Sequence, residues 1–264
     1  MIQTAIEAAF EAGTVLMKYL GKTKHIEFKD DREVDLVTEA DKAAEAKILE
    51  IIRRNHPKHA ILTEEAGAFD SDSDYKWVID PLDGTTNFAH GLRLFSVSIG
   101  LERDGEIIAG VVYNPATEEL YHAEKGGGAF LNKQPIRVSS IGKVERSVLV
   151  TGFPYNVREN PDFCHERFVA FLQNVQAIRR FGSAALDAAF VACGRLEGFW
   201  EVALKPWDKA AGTLLIQEAG GMVSDFYGGE HELYKPQFLG SNGLVHSQMI
   251  EILAQAEALQ ITTK

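Results

Sequence analysis

The chain has 264 residues, 45% of them hydrophobic and 25% charged, and 27 Lys and Arg against 38 Asp and Glu give a formal net charge of −11. That length suits one large domain or two intimate halves around a substantial core, and the composition is that of an ordinary soluble globular protein. The acidic balance argues against non-specific nucleic-acid binding, which needs clustered Lys and Arg, so no direct nucleic-acid contact is expected.

In chain order, Ile2, Ile6, Ala9, Leu16 and Leu20 keep close to helical spacing over residues 2–20, and Gly21 ends the pattern. Glu7 and Glu11 lie inside it and no basic start precedes it, which argues against a secretory signal. No run approaches the roughly 18 apolar residues of a membrane span. Cys164 and Cys193 are far apart and in no metal-like spacing, so reduced thiols and a cytoplasmic location are expected.

A charged segment, 29–41, leads into a second amphipathic helix over about 39–55, patterned by Ala43, Ala46, Ile48, Leu49 and Ile52, with Pro57 at its exit. Thr38 to Asp41 has capping-box spacing, a helix-initiation signal. Ala60-Ile61-Leu62 reads as a short strand delivering Thr63, Glu64 and Glu65. The acidic run 70–74, DSDSD, is not a calcium loop: Tyr75 and Pro81 stand where that loop wants Gly and Glu, and a solvated loop is expected.

The stretch DPLDGTTNFAHG, 80–91, follows the apolar Trp77-Val78-Ile79. Pro81 cannot continue a central strand, so a turn is expected there, followed by a helix from Gly84 with Asp83 or Thr85 capping it. Asp80 and Asp83 then sit three residues apart at a strand-to-helix turn. Carboxylates collect hard cations and helix N-termini collect anions, so the stretch could hold a metal and a phosphate together. The competing reading is that both aspartates merely satisfy a tight turn.

Strand-like runs follow at Phe95–Leu101, Ile107–Tyr113, Leu120–Ala123, Ala129–Leu131 and Ile136–Val138, separated by turn residues: an antiparallel meander. The triplet Gly126-Gly127-Gly128 lacks the Lys-Ser/Thr of a phosphate-cradling loop. Beyond it, strands at Ser147–Thr151, Ala177–Arg180, Gly198–Val202 and Met222–Asp225 alternate with helices at 162–174, Ser183–Cys193 and Trp207–Ala219, and a last helix spans 244–260. Such alternation predicts a mostly parallel or mixed sheet covered by helices. One unit over 1–264 is expected, with an α+β half at 1–140 and an α/β half at 141–264.

Glu64, Asp80, Asp83 and Asp208 each fall at a strand end or helix start, where they could gather around one or two Mg²⁺ ions; a helix N-cap is the plainer role for Asp208. The spacing of Asp80 and Asp83, with Pro81 between, differs from the D-x-D of phosphatases that form an aspartyl phosphate. His56, His59 and His90 suggest no further centre, and the tryptophans read as packing anchors.

The segments VDLVTEAD (34–41), LTEEAG (62–67), WVIDPLDGTTNFAHG (77–91), RRFGSAAL (179–186) and KPWDKAAGTLLIQEAGG (205–221), in this order, resemble the inositol monophosphatase family over nearly the whole chain. The resemblance implies a layered αβαβα sugar-phosphatase fold, with an antiparallel N-terminal sheet and a mixed, mostly parallel C-terminal one. It also implies lithium-sensitive hydrolysis of phosphate monoesters with two or three Mg²⁺ per site, and a homodimer. It makes Glu64, Asp80, the Leu82 carbonyl, Asp83 and Asp208 metal ligands, with Thr85 and Asp41 orienting the attacking water and Glu64 polarising it. Gly84 and Thr85 would hold phosphate, and Gly182, Ser183, Ala184, Glu201 and Arg179 would lie near the alcohol portion, beside Asp83 and Asp208. A family lysine matches Lys29 only with one residue inserted. The substrate could be an inositol phosphate, fructose bisphosphate, histidinol phosphate or a 3′-phosphonucleotide; Arg179 and Arg180 read either as contacts to a second phosphate, favouring the bisphosphate, or as residues that make structural ion pairs or face solvent. A role as a regulatory protein contacting transcription machinery is the alternative of another class.

Overall fold

A computed structural model describes residues 1–21, 26–28 and 36–261. The first half runs α1 (Ile2–Tyr19), β1 (Ile26–Phe28), β2 (Leu36–Thr38), α2 (Glu39–Asn55), β3 (Ala60–Thr63), β4 (Gly67–Phe69), β5 (Tyr75–Asp83) and α3 (Thr85–Ala89). The meander follows as β6 (Ser96–Arg103), β7 (Glu106–Asn114), β8 (Glu119–Glu124), β9 (Gly128–Leu131) and β10 (Gln134–Pro135). The second half is β11 (Val148–Thr151), α4 (Cys164–Asn174), β12 (Ala177–Arg179), α5 (Ala184–Ala192), β13 (Gly198–Glu201), α6 (Pro206–Glu218), β14 (Met222–Ser224), β15 (Phe238–Ser241) and α7 (His246–Ile261).

Eight strands form one sheet in the order β10-β9-β8-β7-β6-β5-β3-β4, antiparallel except where β3 runs parallel to β5. Five form a second, β12-β11-β13-β15-β14, in which β15 alone opposes the other four. The sequence reading lacks β15, which inserts between β13 and β14 and makes the sheet mixed. The run Ile136–Val138 is not a strand; the pairing there ends with β10.

Helices α1 and α2 cover one face of the larger sheet, α5 and α6 fill the space between the sheets, and α4 with α7 cover the outer face of the smaller one. The buried face of α2 is set by Ala40, Ala44 and Ile48, while Ala46 is exposed. Among the described residues no helix is long and apolar enough to cross a membrane.

The strand period of two sorts the side chains of β6. Val97, Ile99 and Leu101 join the core under α1 and α2, while Ser98 and Gly100 point the other way, toward α6, and Ser96 toward Ser183 at the start of α5. A Cβ on Gly100 would lie 2.7 Å from the Cβ of Ala210, and one on Gly110 3.0 Å from the Cα of Ala211. With no side chains there, α6 lies directly on the sheet. Asp80 pairs with Ser98 and Asp83 with Ser96 in the register, so both aspartates belong to the edge and face that α5 and α6 approach.

Candidate active site

Pro81 does not end its strand. β5 continues to Asp83, and the register slips by one residue between Asp80 and Asp83, a bulge in the pairing with β6. A bulge tolerates a residue without an N–H, which is how proline sits inside a sheet here. The bulge also changes the aim of the side chains around it. The Asp80 Oδ1 turns back to accept the Leu82 amide at 3.0 Å, and Thr85 Oγ1 donates to the Leu82 carbonyl at 3.0 Å.

The expected capping does not occur. The helix after the bulge is only five residues long, Gly84 is its N-cap in the left-handed region at φ 91°, and no side chain caps it. A Cβ at Gly84 would meet the Leu94 carbonyl oxygen at 2.9 Å. Asp83 instead caps a different helix. Its Oδ2 accepts Ser183 Oγ at 2.5 Å and the Ala185 amide at 2.8 Å, and its Oδ1 accepts the Ala184 amide at 3.2 Å, all at the start of α5. The carboxylate thus satisfies the donors that a helix N-terminus leaves open.

Asp208 is the third residue of α6, not its N-cap. Its Oδ2 reaches back to the Lys205 amide at 2.6 Å, one half of a capping box. Glu64 follows β3, where its amide bonds the Ile79 carbonyl at 3.2 Å. Buried Glu45 fixes that turn, accepting Thr63 Oγ1 at 2.6 Å and the Ala66 amide at 3.0 Å through one carboxylate oxygen. Asp41 is buried in the first turn of α2.

Glu64, Asp80, Leu82, Asp83, Gly84, Thr85, Gly182, Ser183, Ala184, Glu201 and Asp208 all line one cavity of about 830 Å³. Arg179 does not: its guanidinium donates to the Ile178 carbonyl, and the next residue, Arg180, lines the cavity instead. Successive side chains at a strand end point oppositely, and this chain turns Arg180 inward. His90 is exposed on the cavity wall. Lys29 and the Thr38 side chain lie outside the described residues.

Two further residues build the site without having been assigned a role: Asn87, inside the 77–91 motif, and Gly152, in no motif. Asn87 Nδ2 donates to the Leu94 carbonyl at 2.7 Å and the Phe181 carbonyl at 2.6 Å, tying α3 to the segment before α5. Gly152 lies against Glu201, where a Cβ would overlap the carboxylate.

The electrostatics are those of crowded acids. Burial, then the charges of Glu64, Asp83, Asp208 and Asp41, push the Asp80 carboxyl well above the ordinary range. Burial raises Asp83 to about 6 against the hydrogen bonds from α5, and raises Asp208 to about 8 against the Lys205 amide. Burial likewise lifts Glu201, with the charges of Asp208 and Asp83 adding to it. Among the described residues no group of three His, Cys, Asp or Glu side chains is arranged to hold a metal ion by itself. The donors on the wall are nevertheless mostly oxygens, the set preferred by a hard cation that keeps several of its own waters. Such a cation would offset the burial that raises these carboxyls and, for Asp80, Asp208 and Glu201, the repulsion added by their neighbours.

The profile of the inositol monophosphatase family matches residues 1–259. An inositol-1-monophosphatase of Mesorhizobium japonicum is 43% identical over 256 residues, 95% of each chain. The Nus factor SuhB of Escherichia coli K12 is 43% identical over 252 residues, 95% of this chain and 94% of that one. The solved inositol monophosphatase of Anabaena (Nostoc) sp. PCC 7120 superposes with a TM-score of 0.88 at 44% identity, covering 96% of this chain and 95% of that one. With the same fold and a profile match along almost its full length, the chain belongs to the inositol monophosphatase family.

Proposed function

We propose that this protein is a Mg²⁺-dependent phosphomonoesterase acting on myo-inositol monophosphate or a similar small polyol or sugar phosphate. One observation carries the reading: Glu64, Asp80, Asp83 and Asp208, far apart in sequence, line a single cavity with Gly84 and Thr85. Crowded, raised carboxyls are a cost that a pure scaffold has no reason to keep, and a bound divalent cation offsets it.

In this reading Glu64, Asp80, the Leu82 carbonyl, Asp83 and Asp208 hold two or three Mg²⁺ ions. Bound Mg²⁺ would supply Lewis-acid polarisation and a water of lowered pKa. The chain's own groups do the rest. Thr85, donating to the Leu82 carbonyl, keeps hydroxyl lone pairs that can accept a hydrogen bond from the attacking water and orient it. Asp41, which does not line the cavity but whose charge acts on Asp80, and Glu64, on the wall, orient that water. Gly84 and Thr85 receive the phosphate, and Gly182, Ser183, Ala184 and Glu201 receive the alcohol portion. Arg180, on the cavity wall, replaces Arg179 as the cation of that region. The working protein is a homodimer in the cytoplasm.

The deciding experiment is phosphate release from myo-inositol 1-phosphate, fructose 1,6-bisphosphate, histidinol phosphate and a 3′-phosphonucleotide, with Mg²⁺, with chelator and with added Li⁺. Mg²⁺-dependent release, fastest from inositol 1-phosphate and inhibited by Li⁺, is expected. No release from any ester would end the proposal. The likeness to a Nus factor motivates a second reading, a binding role in transcription; an inactive protein with a stable macromolecular partner would favour it.

A further inference from the structure

Glu45 is a buried acid that does not line the cavity. It stands on α2 one turn after Asp41, so the two share a buried face of that helix. Glu45 Oε1 accepts Thr63 Oγ1 at 2.6 Å and the Ala66 amide at 3.0 Å. Those two donors bracket Glu64. The stretch from Glu64 to Ala66 is the turn between β3 and β4, closed by the pairing of Thr63 with Gly67. On its other side Glu64 is held by its own amide, which donates to the carbonyl of Ile79, the residue before Asp80. Helix α2 thus reaches the acids twice, through Asp41, whose charge acts on Asp80, and through Glu45.

The hairpin itself does not require that grip. A short turn that ends on a residue in the left-handed region closes through its own backbone, and Gly67 supplies that residue at φ 80°. The ladder then continues through Leu62 with Ala68 and Ile61 with Phe69. Strand β4 is the edge of its sheet and its last two residues are exposed, so no core is sealed there. Burying a carboxyl is unfavourable unless its hydrogen bonds are used, and here both printed on one oxygen go to the turn that carries Glu64. We propose that Glu45 is a positioning residue for Glu64: by gripping the turn on both sides it fixes where the Glu64 carboxyl stands on the cavity wall, and with it how tightly the site takes up Mg²⁺. Glu45 touches neither metal nor substrate. The inference rests on the phosphatase reading for the ion that Glu64 holds. Partners that orient a metal ligand from behind change metal affinity by about 10–100-fold when they are lost.

Two titrations test it. Melting temperatures of the parent, Glu45→Leu, Glu45→Gln and Thr63→Val, followed against Mg²⁺ concentration, read the metal without turnover. Phosphate release from myo-inositol 1-phosphate over the same range reads the working site. In Glu45→Leu the half-saturating Mg²⁺ concentration should rise about tenfold in both assays. The KM for the ester at saturating Mg²⁺ should stay that of the parent. Glu45→Gln keeps an oxygen acceptor for both donors and should restore the parent value, while Thr63→Val, which removes only the hydroxyl, should raise it by less than the Leu variant. A grip needed only for folding would lower the melting temperature without moving the Mg²⁺ half-point. That outcome, or a Gln variant that behaves like Leu, would overturn the proposal. So would a Thr63→Val protein with the parent's half-point, even where Glu45→Leu does not fold, or a parent whose melting does not respond to Mg²⁺. A parent stabilised by Mg²⁺, with the variants shifted as stated but no phosphate released, would uphold the role of Glu45 and sink only the phosphatase reading.

Discussion

Asp83 and Ser183, 100 residues apart, are joined by a hydrogen bond of 2.5 Å from the serine hydroxyl to the Asp83 carboxylate. The bond fastens the end of β5, in the larger sheet, to the start of α5, which lies between the sheets. A cavity wall made from both is therefore held by a bond that also caps a helix.

Ser183→Ala removes that charge-assisted bond and the N-cap bond that the serine hydroxyl accepts from the Leu186 amide, while sparing the bonds from the Ala184 and Ala185 amides to Asp83. The expected loss is about 2 kcal/mol, read as a lower denaturation midpoint with an unchanged m-value. A variant as stable as the parent would mean that the amides alone hold Asp83.

Asp80→Asn separates stability from function. It removes one charge from a crowded set, so the metal-free protein should melt higher than the metal-free parent. The parent should gain about 2.7 kcal/mol from Mg²⁺ at a hundred times its Kd, and the variant much less. Phosphate release should fall by a factor on the order of 10²–10³. Equal Mg²⁺-induced shifts in the two proteins would remove Asp80 from the ligand set.

The pH dependence has a definite sign. Asp83 and Asp208, raised from 3.8 to about 6 and about 8, bind protons more tightly folded than unfolded. Their contribution to the metal-free protein is thus fully present below pH 3.8 and is lost as the pH rises through about 6 and about 8. Mg²⁺ must displace those protons, so its stabilising increment should grow from pH 5 to pH 8.5. Melting curves with Mg²⁺ and with chelator across that range check this; an increment independent of pH would contradict it.

Asn87→Ala breaks the tie to Leu94 and Phe181, leaving two carbonyl oxygens without their donor. A cost of about 2 kcal/mol is expected, with faster amide exchange in 181–186. Exchange protection identical to the parent there would show that the tie does not order that segment.

Much of this was legible locally. The helical spacing in α1, the turn residues between β6 and β9 and the strand–helix alternation of the second half each depend on a few consecutive side chains. The acids were legible as types at element ends. What misled the local reading is equally specific. Pro81 argued for a turn because nothing in its neighbours announces a bulge, which exists only through pairing with β6. Capping of α3 by Asp83 or Thr85 looked natural because the helix that Asp83 caps lies 100 residues away.

Residue types alone set the chemistry available: oxygen donors at element junctions and small residues where α6 meets the sheet; the bulge, not the strand period, brings Asp80 and Asp83 to one face. Packing settled which donors meet, because Asp83 joining α5 and Arg180, rather than Arg179, lining the wall are consequences of packing two sheets around α5 and α6. Register and helix docking are long-range properties, and no window of neighbouring residues contains them.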